Sequence, residues 1–410
     1  MSGTALLAGA LLSLQIGGQI ATYFRAPLTG LEKPIQQLST SGTFEASLKP
    51  TEETFAKINV RGDLLTPSLS ETVDARPNLR EAYAGAHKEG IELRIGQQMI
   101  NWGNADVVSA VDLLTSRDYT LFSATPDANR LGAPSVMASF AGESPLRLAV
   151  VWQPVFTKSK LLLPKRALPP NVVLLPESRP NLSVANSEVA VKIGWAPGGW
   201  DISLIGFRGF NHTAEAFLQS FTPERIEVGR RHRSYLAGGL EASAAVDSWV
   251  FRFEGAYVAT ENHDGKNPTI QPTHIDAIAG VERPLGERFR VSAQGIVRAH
   301  PLFLPPIRVT NPLDRPIAEA NAVLLNYTHV VRPGATLRVG YASEDETIEI
   351  DLGGLAYFVG FDWVVQPQIA YRPIAPLKLQ VGVQIFGGKK NSLGSLSEYS
   401  GAFAQSTYTF

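Results

Sequence analysis

The chain has 410 residues, with 37 Lys and Arg against 38 Asp and Glu, and charged residues make up 18% of it. The near-neutral balance argues against a nucleic-acid-binding protein, because a phosphate-contacting surface normally makes a domain basic. The charged fraction is below the roughly 25% of soluble domains, yet no apolar run reaches the roughly 18 to 20 residues of a membrane helix. The lack of cysteine excludes a disulfide framework, a thiolate nucleophile and a cysteine metal site.

The first residues allow two interpretations. Residues 4–14 have the length of a signal-peptide core, but residues 1–3 carry no Lys or Arg. Residues 1–13 are therefore either the remnant of an export signal or the frayed start of a first strand. Residues 14–410 are expected to form a single domain.

Alternation of apolar and polar residues predicts β-strands along almost the whole chain. In residues 377–386, for example, Leu379 and Val381 point one way while Lys378 and Gln380 point the other, which fits a two-residue period and no helical period. Alternation and turn residues together predict about eighteen strands, with about sixteen as the alternative. The approximate predicted spans are 14–24, 38–48, 53–64, 78–88, 91–101, 134–141, 145–153, 186–195, 201–210, 232–243, 248–260, 273–283, 287–298, 318–331, 335–350, 355–371, 377–386 and 401–410.

The links between these strands alternate in length. Links after even strands are short and rich in turn formers, and links after most odd strands are long; the short ones are 49–50, 88–90, 142–145, 196–199, 246–247, 284–286, 332–334 and 372–373. Tight periplasmic turns and extended outer loops are typical of outer-membrane barrels. The sequence therefore predicts an all-β, transmembrane, up-and-down antiparallel β-barrel in a bacterial outer membrane, with both termini periplasmic. The link near residues 353–354 is short where a long one is expected, so that hairpin is an exception.

Charged residues occupy one face of each predicted strand. An Arg or Lys facing lipid at mid-membrane would cost roughly 2 to 4 kcal/mol, so this face is expected to line the lumen. Because the two signs nearly cancel, these side chains form either bracing ion pairs or a charge-selective constriction. The predicted lumen-lining residues are Lys57, Arg61, Glu92, Arg94, Gln98, Arg147, Lys192, Arg252, Glu254, Arg290, Arg298, Arg338, Asp362 and Lys378.

Several of the long links are notable, and the first of them follows the fifth predicted strand. The link at residues 102–133 is far longer than a hairpin needs, and it either folds into the lumen as a plug or forms an outer loop with its own small core. Its candidate residues are Trp102, Asp106, Asp112, Arg117 and Asp118.

The other long loops are rich in Leu and Pro. They predict an apolar mouth that binds a hydrophobic solute, or loops that pack only on one another. The residues of this mouth are Leu162, Leu163, Leu174, Leu175 and Phe303.

No catalytic spacing is present around the seven histidines. None lies in a serine elbow or an HExxH motif, so we expect no catalytic residue, no metal, no cofactor and no enzyme activity. The cluster at residues 230–233 either contacts lipopolysaccharide phosphate or is a solvated charge run. Outer-membrane lipid, lipopolysaccharide and a small-molecule solute are the expected partners, and the aromatic end of the last strand, Phe410, is expected to be recognised by the barrel-assembly machinery.

Two segments resemble a known family. Residues 94–103 (RIGQQMINWG), followed by Asp112 and Arg117-Asp118, resemble the "GRQ…WG" strand and loop of uncharacterised proteobacterial outer-membrane proteins of the domain-of-unknown-function 1302 type. The tail from Phe386 to Phe410 is similar to the ending of that family. The resemblance implies a porin-like outer-membrane barrel that handles hydrophobic compounds, and it supplies no catalytic residues.

The leading hypothesis is a porin-like channel that passes small or amphipathic and hydrophobic solutes. The main alternative is a non-conducting barrel for adhesion or envelope assembly. An outer-membrane hydrolase is a third hypothesis that no spacing supports.

Overall fold

A closed β-barrel accounts for most of the chain in a computed structural model that describes residues 13–28, 37–66, 74–124, 126–161, 169–389 and 392–410. Its 18 strands pair with their neighbours in antiparallel fashion, and the first strand pairs with both the second and the last, which closes the sheet. The count of 18 is confirmed, and 16 is wrong. Residues 1–12 lie outside the described residues, so the interpretation of the leader stays a prediction.

The barrel strands are numbered in chain order. They are β1 Ser13–Pro27, β2 Gln37–Lys49, β3 Thr54–Thr66, β4 Asp74–Lys88, β5 Ile91–Gln98, β6 Ala133–Ala141, β7 Leu146–Gln153, β8 Glu188–Trp195, β9 Trp200–Phe210, β10 Ser234–Val246, β11 Trp249–Thr260, β12 His274–Leu285, β13 Phe289–Ala299, β14 Val331–Ala342, β15 Ile348–Tyr357, β16 Asp362–Ile374, β17 Leu377–Gly388 and β18 Gly401–Thr409.

The outer loops carry the remaining elements. Strands Val172–Ser178, Ile226–Arg231 and Glu215–Phe221 form a three-stranded sheet, and Ser116–Arg117 pairs with Arg130–Leu131. Helix α1 spans Asp314–Leu324, and 3-10 turns lie at Pro126–Asn129, Val184–Asn186, Pro306–Arg308 and Leu393–Tyr399. None of the helices among the described residues is long and apolar enough to cross a membrane.

The prediction is wrong around the fourteenth strand. The first half of the predicted strand 318–331 lies in α1, where Ile317, Ala318, Asn321 and Ala322 are buried at helical spacing. The predicted spans 335–350 and 355–371 instead cover parts of the three strands β14, β15 and β16. Pro and Gly at 332–334 suggested a turn, but these residues pair with β13 inside β14.

The true turn after β14 lies at residues 343–347. There the Asp345 carboxylate accepts hydrogen bonds from the Ser343 hydroxyl at 2.6 Å and the Thr347 hydroxyl at 2.9 Å, a polar turn with no Pro or Gly to announce it. Residues 353–354 lie inside β15, and the short outer link is 358–361. The turn predicted at 372–373 is displaced to 375–376.

The outer surface of the barrel is apolar. Val381 is 54% exposed, whereas its neighbour Gln380 is 7% exposed, so apolar side chains point out and polar ones point in, as alternation predicts. The same inversion recurs around the barrel, with Ile16, Leu64, Ile95, Leu148, Leu204, Phe251 and Leu337 all exposed. An apolar belt of this extent is unfavourable in water and fits lipid contact.

Phe410, which follows the last strand, is hydrogen-bonded to the first strand. The backbone N–H of Gly18 donates to the carbonyl oxygen of Phe410 at 3.0 Å. A Cβ atom on residue 18 would lie 2.6 Å from both the Phe410 ring and the Thr43 carbonyl oxygen, so a side chain at this position would clash. Recognition of Phe410 by the assembly machinery stays a prediction.

Candidate transport pathway

The long link between β5 and β6, residues 99–132, folds into the barrel. Its side chains Trp102, Ala110, Val111 and Leu114 are buried, with Val111 fully enclosed. They pack against inward-facing residues of β7 to β13, namely Val151, Ala190, Ile205, Phe207, Ala237, Ala256, Val258, Ile278 and Ile296. We call this link the inner loop, and its first half lies against this half of the barrel wall.

Glu254 of β11 anchors the first half of the inner loop. Its Oε1 accepts the backbone N–H groups of Asn104 at 2.6 Å and Ala105 at 2.7 Å. Its Oε2 accepts the Ser109 hydroxyl at 2.7 Å and the backbone N–H of Ala110 at 2.8 Å. The carboxylate is completely buried, and these four donors compensate its charge.

The second half of the inner loop reaches the opposite wall. The Arg25 guanidinium of β1 lies 4.3 Å from the centre of the Phe122 ring. Gln405 of β18 accepts the backbone N–H of Ala124 at 3.1 Å, and Arg61 of β3 donates to the Ala128 carbonyl oxygen at 3.1 Å. In a ring of 18 strands, β1 to β3 lie about half a circumference from β11, so the inner loop crosses the lumen.

The carboxylates within the inner loop hold its shape. Asp112 Oδ2 lies 3.1 Å from Arg117 Nη2 and 2.9 Å from Arg130 Nη1. Asp118 Oδ2 accepts the Lys160 ammonium at 2.8 Å. These acidic groups are therefore engaged within the loops.

Below the inner loop, towards the short-turn end of the barrel, lies a cavity of about 820 Å³. Strands β12 to β18 and β1 form its wall, and Asp106 and Ala124 of the inner loop form part of its roof. Its charged lining balances, with five cations, Arg288, Arg290, Arg338, Arg372 and Lys378, against five carboxylates, Asp106, Glu282, Glu287, Glu349 and Asp351.

Most of these charges are paired. Glu282 lies 2.7 Å from Arg252 and 3.5 Å from Arg290. Arg338 contacts Asp351 at 2.8 Å and the inner-loop residue Asp106 at 3.4 Å. Cross-strand pairs of this kind favour the bracing interpretation over a ring of one charge sign.

A second cluster of pairs follows on β15 to β17. Glu349 lies 2.9 Å from Arg372 and 2.7 Å from Lys378. Of the predicted lumen residues, the structure thus brings Arg290, Arg338 and Lys378 to the cavity, with Arg252 behind Glu282. Asp351 was missed because β15 was displaced in the predicted spans.

The other predicted lumen residues form ion pairs or hydrogen bonds away from this cavity. Lys57 bridges Glu45 and Glu81, Arg94 pairs with Glu92, Arg147 lies 3.6 Å from Asp201, Lys192 pairs with Glu241, Arg298 pairs with Asp276, Arg332 pairs with Asp362, and Gln98 donates to the Ser135 carbonyl oxygen. Arg332, predicted in a turn, is completely buried with Asp362. Its burial could be recognised only once the register of β14 was known.

The predicted apolar mouth stays a prediction, and its described residues lie in different elements of the outer loops. Leu174 lies in the strand Val172–Ser178 of the outer sheet and is 42% exposed. Phe303 packs instead against Ala322, Leu325 and Tyr327 beside α1. Leu162 and Leu163 lie outside the described residues.

Half of the basic cluster at residues 230–233 is engaged with carboxylates. Arg233 Nε donates to Glu215 at 2.6 Å, and His232 Nε2 lies 2.5 Å from Glu177. Burial lowers the pKa of His232 despite this carboxylate. Burial opposes a low pKa at Glu177, but hydrogen bonds from Lys158 and His232 hold that pKa below its usual range.

One constellation has the residue types of a hydrolase triad. Ser116 Oγ lies 3.2 Å from His212 Nδ1, and His212 Nε2 lies 3.3 Å from Glu188. Ser116 is 2% exposed, and its hydroxyl donates to the Thr157 carbonyl oxygen at 2.5 Å. Because the serine is enclosed and its proton points away from the histidine, the three residues tie the inner loop to the wall.

Comparison with solved structures identifies the fold. The Pseudomonas aeruginosa protein OpdK, solved with vanillate, matches with a TM-score of 0.58 at 9% identity, covering 98% of this chain and 100% of that chain. OccK2 (OpdF) of the same organism, solved with glucuronate, matches with a TM-score of 0.57 at 9% identity over 98% of both chains. OccK11 (OpdR) matches with a TM-score of 0.56 at 9% identity, covering 98% of this chain and 97% of that chain.

The chain has the fold of a bacterial outer-membrane porin. This porin-like fold and the apolar belt place it in a bacterial outer membrane. No protein-family model and no curated protein matches the sequence, so the likeness to the 1302-type family stays a resemblance. At this identity the neighbours establish architecture, and the solute has to be argued from the lumen.

Proposed function

We propose that this porin-like barrel is a channel that passes small solutes across the outer membrane. The observation that carries the proposal is the inner loop, which is fixed to opposite walls by Glu254 and Gln405 above a polar cavity. A loop that lies across a lumen narrows its cross-section, and a narrow lumen lined by polar groups can select among solutes.

The neighbours support a solute of modest size. OpdK was solved with vanillate and OccK2 with glucuronate, both small ring compounds that carry a carboxylate. The cavity of about 820 Å³ falls within the roughly 300 to 1,000 Å³ typical of small-molecule sites. We infer that the solutes of this chain belong to the same size class.

A hydrophobic solute is a second candidate, favoured by the half-exposed Leu174 in the outer sheet. The ion pairs and amides of the cavity argue against it, since an apolar solute would leave these groups without water. Replacing Leu174 and Leu175 by Ser tests it. Uptake of hydrophobic compounds should fall selectively if this candidate is right and stay unchanged if the outer sheet only packs.

Planar-bilayer recording of the purified protein tests the channel itself. We expect single-channel conductance in the wild type and a larger conductance when residues 104–124 are replaced by a short Gly-Ser linker. Shortening the outer turn at residues 222–225, which lies between two strands of the outer sheet, is the matched control. No conductance from either folded variant would favour the non-conducting alternative for adhesion or envelope assembly.

A further inference from the structure

The cavity below the inner loop has two chemically different walls. Ion pairs cover the side formed by β12 to β16, as described above. The side formed by β16, β17, β18 and β1 carries the ion-paired Arg372 and Lys378 at its edge. The rest of this side is covered by uncharged polar side chains, and these are Gln368, Gln380, Thr407, Thr409 and Gln19. We call this second side the amide wall.

The carboxamides of the amide wall make few hydrogen bonds to the described residues, whereas the Thr407 hydroxyl accepts one from Gln405 at 3.1 Å. Gln380 is 7% exposed and lines the cavity, yet its carboxamide makes no side-chain hydrogen bond to the described residues. Gln19 is in the same situation within the described part of the chain. Gln368 accepts one bond, from Gln366 at 3.3 Å, through its Oε1, and its Nε2 has no hydrogen bond to the residues that the structure describes.

The charged wall differs because its groups satisfy one another. Glu282, Glu349 and Asp351 each have a cation within 2.9 Å. A solute that bound there would have to displace an existing ion pair. A solute on the amide wall would instead meet donors and acceptors that lack protein partners, and unpaired polar groups favour a ligand that completes them.

The chemistry of a carboxamide selects among solutes. Each one offers two N–H donors and one carbonyl acceptor, with no net charge. A hydroxyl group both donates and accepts, so a row of hydroxyls can pair with a row of carboxamides and threonine hydroxyls. A carboxylate has acceptors only and would leave the amide carbonyl oxygens unpaired.

We propose that the amide wall is a binding subsite for neutral, hydroxyl-rich solutes, that is, sugars or polyols. The inference rests on the proposed channel function and adds the class of solute. Gln380 and Gln368 contact the hydroxyl groups, with Gln19 across the β1 to β18 seam.

Blockade of single-channel current by maltose, an uncharged sugar, tests the subsite. We expect a concentration-dependent decrease in the wild-type current. Gln380→Met with Gln368→Met keeps side-chain length and removes both amides, and should raise the half-blocking concentration about tenfold or more, because a site built for hydroxyls depends on those bonds. Gln380→Ser is a second variant in case the double variant does not fold.

Gln15→Met is the matched control, since Gln15 lies on the same strand as Gln19 but outside the cavity lining. It should leave the half-blocking concentration unchanged. A conducting wild type that sodium glucuronate blocks and maltose does not would overturn the subsite, as would equal blockade of wild type and double variant. A protein that binds maltose by calorimetry in detergent but never conducts would keep the subsite and overturn the channel.

Discussion

Glu254 Oε2 lies 2.8 Å from the backbone nitrogen of Ala110, although 144 residues separate the two in sequence. This contact fixes the inner loop against β11. Without the buried carboxylate, the donors of the loop would have no acceptor.

Glu254→Gln should loosen the inner loop. An amide cannot accept at all four positions, since one of its two acceptor atoms becomes a donor, and a buried unsatisfied group costs about 1 to 3 kcal/mol. We expect larger and noisier single-channel currents. Glu241→Gln, on the adjacent strand β10 and paired with Lys192, should leave the current pattern unchanged, and equal effects of the two variants would contradict a specific role for Glu254.

Cysteine labelling should separate the two faces of the barrel. The protein has no cysteine of its own, so single variants Val381→Cys and Gln380→Cys report without background. A fluorophore at 381 should be quenched by a lipid-soluble quencher, whereas position 380 should react with a water-soluble thiol reagent that enters the channel. Reversed accessibility would mean that the register of β17 is shifted by one residue, because such a shift exchanges the two faces of a strand.

Breaking the buried pair of Arg332 and Asp362 should destabilise the barrel strongly, whereas replacing both residues together should destabilise it much less. Arg332 Nη2 lies 2.9 Å from Asp362 Oδ2, and Asp362 also accepts the Ser392 hydroxyl at 3.0 Å. Asp362→Asn should destabilise the barrel by about 3 to 5 kcal/mol because it leaves a buried cation unpaired. The double variant Arg332→Met with Asp362→Leu should recover most of that loss, since it removes both buried charges together.

Heat-modifiability on gels gives the apparent unfolding temperature for this comparison. Glu319→Gln on the exposed face of α1 breaks the surface pair with Arg315 and should cost at most about 0.5 kcal/mol. A double variant less stable than Asp362→Asn alone would show that the pair contributes through its hydrogen bonds to the outer loop.

Acid should weaken the packing of residues 300–330. Burial, together with the neighbouring His274 and Arg298, lowers the pKa of His300 to about 3, against about 6.5 when unfolded. Between pH 3 and pH 6.5, His300 therefore binds more protons when residues 300–330 are unfolded than when they are packed. Stability is therefore complete above about pH 6.5 and decreases as the pH falls towards 3, by up to about 1.4 kcal/mol per pH unit.

Hydrogen exchange at pH 7.5 and pH 5, corrected for the intrinsic rates, measures this effect. Residues 300–330 should exchange faster at pH 5 in the wild type and show a smaller pH effect in His300→Leu, which keeps the contacts to Phe303 and Tyr327. His263→Leu, at an exposed position, should behave like the wild type. An unchanged pH effect in His300→Leu would assign the titration to His274 and its partners Asp276 and Arg298.

The barrel could be predicted from the sequence because lipid and water impose a two-residue period on every strand. Leu379, Val381 and their equivalents satisfy that period locally, and short polar turns alternate with long loops in the same local way. Prediction from local patterns failed at α1, because a short segment can fit both a helical and a strand period. It failed again at Pro333, where the proline suggested a turn but the residue lies inside a strand.

The tertiary structure alone decided what fills the lumen. Glu254 and Arg338 occupy inward-facing positions of the alternating pattern, like the other charged residues of the lumen. Nothing near them in sequence indicates their contacts with Ala110 and Asp106. Those contacts depend on the closure of 18 strands, which brings β11, β14 and the inner loop together. Alternation fixes which face a side chain occupies, but the partner across a lumen is set by the geometry of the closed barrel.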